Sequence, residues 1–71
     1  MKNRLEELRN HKGWTQQELA DRVLVSRQTI NSLERGRYNP SIILGFRLAR
    51  QFEVAIEEIF LYSETEDDYD E

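Results

Sequence analysis

The sequence WTQQELADRVLVSRQTINSLERGR, residues 14–37, decides the fold because it encodes two short helices joined by a tight turn. Thr15 followed by Glu18 is a capping box, in which each side chain bonds the other residue's backbone N–H and so starts a helix. Ser26 is a second N-cap, flanked by Val25 and Ile30 at the spacing of a hydrophobic staple. Helices of about two turns are too short to be stable alone, so we expect a shared apolar face to hold the pair together.

The apolar residues of this stretch supply that face: Leu19, Val23, Val25, Ile30 and Leu33. Ala20 is small enough to let two helices cross closely. The turn residue is Leu24, and a left-handed backbone there costs a leucine on the order of 1 kcal/mol or more relative to glycine. The spacing over residues 15–35 resembles the helix-turn-helix of phage and bacterial repressors, in which the turn position held here by Leu24 is usually glycine, so we expect that motif with a slightly different turn.

Three further helices are predicted around this pair, with the bounds Lys2–Lys12, Ile42–Phe52 and Ala55–Phe60. Gly13 is the stop signal of the first, and Gly36 is expected to end the third helix in a left-handed conformation. Ser41 caps the fourth, whose apolar residues Ile43, Leu44, Leu48, Ala49 and Phe52 repeat at helical spacing.

The C-terminal residues Phe60, Leu61 and Tyr62 are apolar, and either a strand or a segment that packs on a partner fits them. The predicted fold is thus all-α with five helices, with or without a short C-terminal strand or extension. Residues 1–62 form the predicted domain.

Charge is unevenly distributed along the chain. The net charge is −4, but residues 63–71 hold six of the fourteen acidic residues and no basic one. Residues 1–62 therefore carry a formal charge of +2, which suits a nucleic-acid partner. We expect the acidic tail, residues 63–71, to be a disordered and solvated end. Two other roles stay open: competition with DNA for the basic face, or binding of a partner.

The composition of the 71 residues excludes several classes of protein. There is no cysteine, one histidine, His11, and no glycine-rich phosphate loop, so we expect no enzyme activity, no metal site and no cofactor. No apolar run approaches the roughly 20 residues that span a bilayer, and the charged N-terminus lacks a signal-peptide core. We therefore expect a cytoplasmic protein with no membrane contact and no small-molecule ligand.

The segments TQQELA, residues 15–20, and SRQTINSLERGRYNPS, residues 26–41, resemble the lambda and 434 repressors of the Cro/C1 (XRE) family. The resemblance covers residues 2–61 and is strongest to short, single-domain prokaryotic regulators of the cytolysin-repressor type. It implies a lambda-repressor-like fold whose third helix enters the major groove. It also implies a homodimer that binds an inverted-repeat operator, with two copies about one helical turn of DNA apart.

The resemblance also implies roles for individual residues. Arg27, Gln28 and Ser32 match base-reading positions; an arginine can pair with guanine O6 and N7, and a glutamine with adenine N6 and N7. The residues expected at the DNA backbone or groove wall are Gln16, Gln17, Thr29, Asn31, Arg35, Arg37 and Tyr38. Arg9 and Glu34 match a structural ion pair. At the C-terminal end, the residues expected in dimerisation are Ile59, Leu61 and Tyr62.

Two functions of different kinds fit this sequence. The first is a nucleoid-associated transcriptional regulator, most simply a repressor, that binds double-stranded DNA. The alternative is a protein-interaction module, antitoxin-like or adaptor, in which residues 59–62 and the acidic tail bind a different protein.

Overall fold

The computed structural model describes residues 1–37 and 39–63, and in that part of the chain it has four α-helices and a two-strand sheet. In chain order the elements are β1 (Lys2–Asn3), α1 (Leu5–Lys12), α2 (Gln16–Val23), α3 (Arg27–Glu34), α4 (Ile42–Phe52), a 3-10 turn (Ile56–Glu58) and β2 (Phe60–Leu61). The strands are antiparallel, with Lys2 opposite Leu61 and Asn3 opposite Phe60. The expected disorder of the tail concerns residues 64–71, which lie outside the described residues, as does Tyr38.

The predicted helix starts are confirmed by their hydrogen bonds. The side chains of Thr15, Ser26 and Ser41 each accept from the backbone N–H three residues later, at 3.0, 3.1 and 3.1 Å. Glu18 completes the capping box by accepting from the Thr15 N–H at 2.8 Å. Each cap satisfies a backbone donor that has no partner inside the helix, which fixes where α2, α3 and α4 begin.

The helix ends depend on left-handed residues. Gly13 ends α1 with φ 75°, and Gly36 follows α3 with φ 70°, as predicted. Leu24 ends α2 with φ 64° and ψ 43°, so the turn of the helix-turn-helix places a leucine in a backbone conformation that favours glycine. Its side chain is 72% exposed and gains no burial that would offset this strain.

The core lies between the four helices and the C-terminal segment. Its buried apolar residues are Leu5, Leu19, Ala20, Val23, Ile30, Leu33, Leu44, Leu48, Phe52 and Ile59. Gly45 is buried on the face of α4 that meets the 3-10 turn, and a Cβ built there would lie 2.6 Å from Ile56 Cδ1. Gly45 therefore leaves the space that Ile56 Cδ1 occupies, and a side chain at this position would require that methyl group to move.

Three predictions about the fold were wrong. The fifth element is a single 3-10 turn followed by β2, so a fifth α-helix over Ala55–Phe60 is not formed, and the strand alternative for Phe60 and Leu61 is confirmed. The first helix begins at Leu5 because Lys2 and Asn3 pair with β2. Ile43 was included in the apolar face that helical spacing predicts for the fourth helix, but it is 63% exposed because α4 turns its Leu44 and Leu48 side inward.

No helix within residues 1–37 and 39–63 is long and apolar enough to cross a membrane. The same residues contain no cluster of side chains suited to hold a metal ion.

Candidate nucleic-acid interface

The first turn of α3 presents two polar side chains to solvent. Arg27 and Gln28 follow the Ser26 cap directly, and both are exposed. Thr29 is half-buried, and its hydroxyl lies 3.0 Å from Ser26 Oγ, so this side chain is engaged in the cap. Ser32 lies one turn further on and is half-buried. The structure therefore places the predicted base-reading residues along one helix, with the two longest side chains at its N-terminal end.

Gln16 is held in a defined orientation at the start of α2. Its Nε2 donates to Glu34 Oε1 at 3.0 Å, and its Oε1 accepts from Asn31 Nδ2 at 3.4 Å. These two bonds define the orientation of the Gln16 side-chain amide, and they leave the second N–H of Nε2 for another acceptor. The backbone N–H groups of a helix's first turn also lack intrahelical partners, so the start of α2 can bind an anion such as a phosphate.

Glu34 is itself fixed by Arg9 on α1. Arg9 Nε donates to Glu34 Oε2 at 2.6 Å and Arg9 Nη2 donates to Glu34 Oε1 at 3.3 Å, while Arg9 Nη1 donates to the Trp14 carbonyl at 2.8 Å. Both side chains of the pair are nearly buried. The hydrogen bond that the Arg9 guanidinium donates to Glu34 raises the pKa of Arg9, and burial partly opposes this effect. The structure thus contains the ion pair that the family resemblance implied.

A chain of polar contacts therefore runs from the interior to the predicted DNA surface through Arg9, Glu34, Gln16 and Asn31. It joins α1, α2 and α3, so the relative position of the two helices of the motif is fixed by more than their apolar contacts. Gln17 lies outside this chain: it is exposed, and its Nε2 donates to Asp21 Oδ1 at 2.9 Å along α2.

The turn after α3 carries two exposed arginines, Arg35 and Arg37. The Gly36 N–H donates to the Leu33 carbonyl at 2.9 Å and the Arg37 N–H donates to the Ser32 carbonyl at 3.0 Å. This pair of bonds is the Schellman motif, which closes the helix and turns the chain away. The turn therefore holds both arginines at the C-terminal end of α3, and the predicted role of Tyr38 lies outside the described residues.

Of the three residues predicted for dimerisation, the structure buries one and exposes two. Ile59 is 0% exposed and belongs to the chain's own core, so its assignment to a subunit contact was wrong. Leu61 and Tyr62 are 42% and 61% exposed. Sequence reasoning missed a second apolar surface nearby, because Ile42 and Phe46, one turn apart on α4, are also exposed. Their spacing of four residues is the available signal, although buried helix faces show the same pattern.

A capped helix pair with a close crossing, an exposed polar first turn on its second helix and basic residues after it defines a helix-turn-helix domain. The chain belongs to the helix-turn-helix family, of the Cro/C1 (XRE) type, since the family model described as "Helix-turn-helix" matches residues 5–59. The resemblance expected from the sequence is confirmed.

Known proteins of similar sequence and structure include regulators. An uncharacterized HTH-type transcriptional regulator from Archaeoglobus fulgidus is 48% identical over 66 residues, which cover 93% of this chain and 93% of that protein. A competence pilus inhibition repressor from Acinetobacter baylyi is 42% identical over 62 residues, which cover 84% of this chain and 54% of the repressor. The crystal structure of the restriction-modification controller protein C.AhdI from Aeromonas hydrophila matches with a TM-score of 0.73 and 35% identity, covering 80% of this chain and 86% of that one.

Proposed function

We propose that this protein binds double-stranded DNA sequence-specifically as a homodimer and represses transcription from an inverted-repeat operator. The observation that carries the proposal is the placement of Arg27 and Gln28, both exposed, on the first turn of a helix whose position is fixed by the buried Arg9–Glu34 pair. A rigidly held helix end with two bidentate hydrogen-bonding groups suits the reading of base edges in a major groove.

Base reading is assigned to Arg27, Gln28 and Ser32. Arg27 supplies a planar fork for a guanine, and Gln28 supplies a donor and an acceptor for an adenine. Each bidentate contact discriminates against a wrong base by about 1–3 kcal/mol. Ser32 is half-buried and shorter, so its contact is a single hydrogen bond at most.

Phosphate binding is assigned to the two ends of the motif. At one end, the oriented amide of Gln16 and the first N–H groups of α2 meet a phosphate, with Gln17 beside them. At the other end, Arg35 and Arg37 project from the turn after α3, and Thr29 and Asn31 lie at the groove wall between the two. These contacts set affinity and register and read no sequence.

A homodimer through the C-terminal end is supported by the apolar surface there. Leu61 is the last residue of β2 and Tyr62 follows it. Tyr62 and Ile42, at the start of α4, line the same hollow of about 290 Å³, whose other lining residues are Met1, Asn39, Pro40, Ser41, Ile56, Glu57 and Phe60. Exposed apolar surface of this kind on a small domain marks an interaction site, and two copies can bury the same surface against each other.

Within this proposal, residues 1–62 are the DNA-binding domain and residues 63–71 are a solvated acidic end. Operator binding places the protein on the nucleoid of a prokaryotic cytoplasm and requires no cofactor, no small-molecule ligand and no catalytic step. The repressor from Acinetobacter baylyi and the controller protein described above support a regulatory role.

The alternative function, a protein-interaction module, is favoured by the same apolar surface. In that case Tyr62, Leu61 and the exposed side of α4 bind a different protein and α3 is an ordinary surface helix. Salt dependence separates the two functions: binding through phosphates weakens with a slope near −0.9 per phosphate neutralised, whereas apolar binding to a protein barely changes.

The test is selection from a random duplex pool at two salt concentrations, followed by sequencing. Enrichment of a short palindrome, with the preference at one base pair per half-site relaxed in the Arg27→Ala variant, would establish specific recognition by a dimer. A folded protein that enriches no sequence at either salt concentration would overturn the proposal and favour the protein-interaction module.

A further inference from the structure

Asn3 joins three parts of the molecule through one side chain. Its Oδ1 accepts from the Leu5 N–H at 3.0 Å and so caps α1, while its Nδ2 donates to the Leu33 carbonyl at 2.8 Å. Leu33 belongs to the last turn of α3. Asn3 is also one of the two residues of β1 and lies opposite Phe60 of β2. A single asparagine thus connects the two-strand sheet to the end of the helix proposed to enter the groove.

The Leu33 carbonyl is shared between Asn3 and the turn that carries the arginines. It accepts from Asn3 Nδ2 at 2.8 Å and from the Gly36 N–H at 2.9 Å, so both of its lone pairs are used. The neighbouring Met1 lies against the same turn, because a Cβ on Gly36 would be 3.0 Å from the Met1 carbonyl oxygen. The N-terminal segment therefore covers the turn between Arg35 and Arg37 and limits its movement.

The other side of β1 leads to the surface proposed for dimerisation. Lys2 lies opposite Leu61, and the Arg4 N–H donates to the Ile59 carbonyl at 2.8 Å. Leu61, at the end of this pairing, and Tyr62, directly after it, are exposed. A continuous path of hydrogen bonds therefore runs from the apolar C-terminal surface, through β2 and β1, to the end of α3.

We propose that Asn3 is a positioning residue for DNA binding, one that fixes the Arg35–Arg37 turn to the two-strand sheet and thereby sets that turn relative to the subunit contact. Asn3 touches no DNA in this arrangement. This inference rests on the proposed function, because the turn is assigned there to phosphate binding. The sheet gives the turn a fixed distance from the dimer axis, which a phosphate contact on each half-site requires.

Two substitutions separate the two hydrogen bonds of Asn3. Asn3→Asp keeps the acceptor for the Leu5 N–H, removes the donor to Leu33 and places a carboxylate beside that carbonyl. Asn3→Ser keeps a side-chain oxygen able to cap α1, is too short for the second bond and adds no charge. Asn10→Asp is the matched control, since Asn10 is an exposed asparagine of α1 and its replacement adds the same charge.

The experiment measures the affinity of each full-length variant for the duplex enriched by the wild-type protein, with folding checked by circular dichroism. Loss of coupling between a network residue and a distant contact typically changes affinity by roughly 2-fold to 30-fold. We expect both Asn3 variants to bind within that range more weakly than the wild type, and Asn10→Asp to change affinity less than about 2-fold.

A double-mutant cycle with the combined Arg35→Ala and Arg37→Ala change distinguishes positioning from general destabilisation. If Asn3 acts through the turn, Asn3→Ser costs little further affinity once both arginines are gone, because the groups being positioned are absent. Additive effects, or Asn3 variants that bind like Asn10→Asp, would overturn the inference while leaving the proposed function intact. A wild-type protein that binds no duplex would overturn the proposed function itself and the role of Asn3 with it.

Discussion

The guanidinium of Arg9 and the carboxylate of Glu34 meet in a two-pronged ion pair between α1 and α3, with Arg9 Nε 2.6 Å from Glu34 Oε2 and Arg9 Nη2 3.3 Å from Glu34 Oε1. The carboxylate also accepts from Gln16, so one residue serves the interior and the predicted phosphate site. Removing the Glu34 carboxylate should affect both the stability of the domain and its DNA binding, and these two effects can be measured separately.

Glu34→Ala should destabilise the domain by about 3–5 kcal/mol, because it leaves the nearly buried Arg9 guanidinium without its counter-charge. In a small domain this is much of the total free energy of unfolding. The double variant Arg9→Met with Glu34→Leu should recover most of the loss, since apolar groups of similar size can replace a buried pair. Denaturant unfolding measures both effects, and a mild Glu34→Ala variant would show that the pair is solvated.

The same double variant should fold and still bind operator DNA more weakly than the wild type. The weaker binding has a local cause, because without Glu34 the Gln16 amide loses the acceptor that orients it toward the phosphate site. We expect a loss of about 1 kcal/mol, the usual value of one hydrogen bond, in a titration with the selected duplex. Wild-type affinity in this variant would show that Gln16 needs no orientation by Glu34.

Leu24→Gly should stabilise the protein by about 0.5–1 kcal/mol, because the strain of a left-handed leucine exceeds the entropy that glycine adds to the unfolded chain. For a domain of this size the melting temperature should rise by roughly 2–8 °C. Leu24→Ala is the control: it removes most of the exposed side chain, keeps the Cβ and should show no such gain. Equal changes in melting temperature for Leu24→Gly and Leu24→Ala would show that the destabilisation comes from the exposed leucine side chain and not from the left-handed backbone.

The effect of Gly45→Ala on the free energy of unfolding should change sign with the residue at position 56. In the wild type the new Cβ meets Ile56 Cδ1 at 2.6 Å, and overpacking of about 1–3 kcal/mol outweighs a gain in helix propensity of about 1 kcal/mol. In an Ile56→Val background that methyl group is absent, so the same change should stabilise the protein. Thermal unfolding of the wild type, the two single variants and the double variant tests this prediction. Additive effects would show that the residues at positions 45 and 56 do not interact.

Base-reading and phosphate-binding residues should respond differently to substitution. Arg27→Ala or Gln28→Ala should relax the preference at one base pair per half-site, with a loss of discrimination of about 1–3 kcal/mol. Arg37→Ala should weaken binding to all sequences about equally and reduce the salt slope by about 0.9. An unchanged sequence preference in both α3 variants would mean that another element enters the groove.

Leu61→Asp should convert the proposed homodimer into monomers, because it places a charge in the apolar surface at the end of β2. Leu24→Asp is a matched control, since it introduces the same charge at a leucine that is 72% exposed in the turn of the motif. Sedimentation velocity reports the state of both variants. A dimer that persists in Leu61→Asp would move the subunit contact away from the C-terminal end.

The features predicted correctly from the sequence are local ones. Thr15, Ser26 and Ser41 begin helices through bonds to residues three positions away, and Gly13 and Gly36 end them through their own backbone freedom. Such signals depend on a few consecutive residues, and a single sequence contains them in full.

The errors come from contacts between distant residues. A two-residue strand has no periodic pattern, and Lys2 pairs with Leu61 only because the whole domain brings the two ends together. Ile43 and Ile59 are equally apolar, yet one faces solvent and the other is in the core, since the packing of the 3-10 turn on α4 sets which side is covered. The assignments of Arg27, Gln28 and Ser32 remain predictions.

The pairing of β1 with β2 also has a consequence for the synthesis of the protein. During translation Lys2 and Asn3 leave the ribosome before the four helices, and their partners Phe60 and Leu61 emerge only when nearly all of this domain has been made. The helix-turn-helix can form earlier, because α2 and α3 are adjacent in the chain and need only local contacts. The sheet is therefore completed last. When a nascent chain has formed α3, this helix is not yet connected through Asn3 and the sheet to the surface proposed to bind a second subunit.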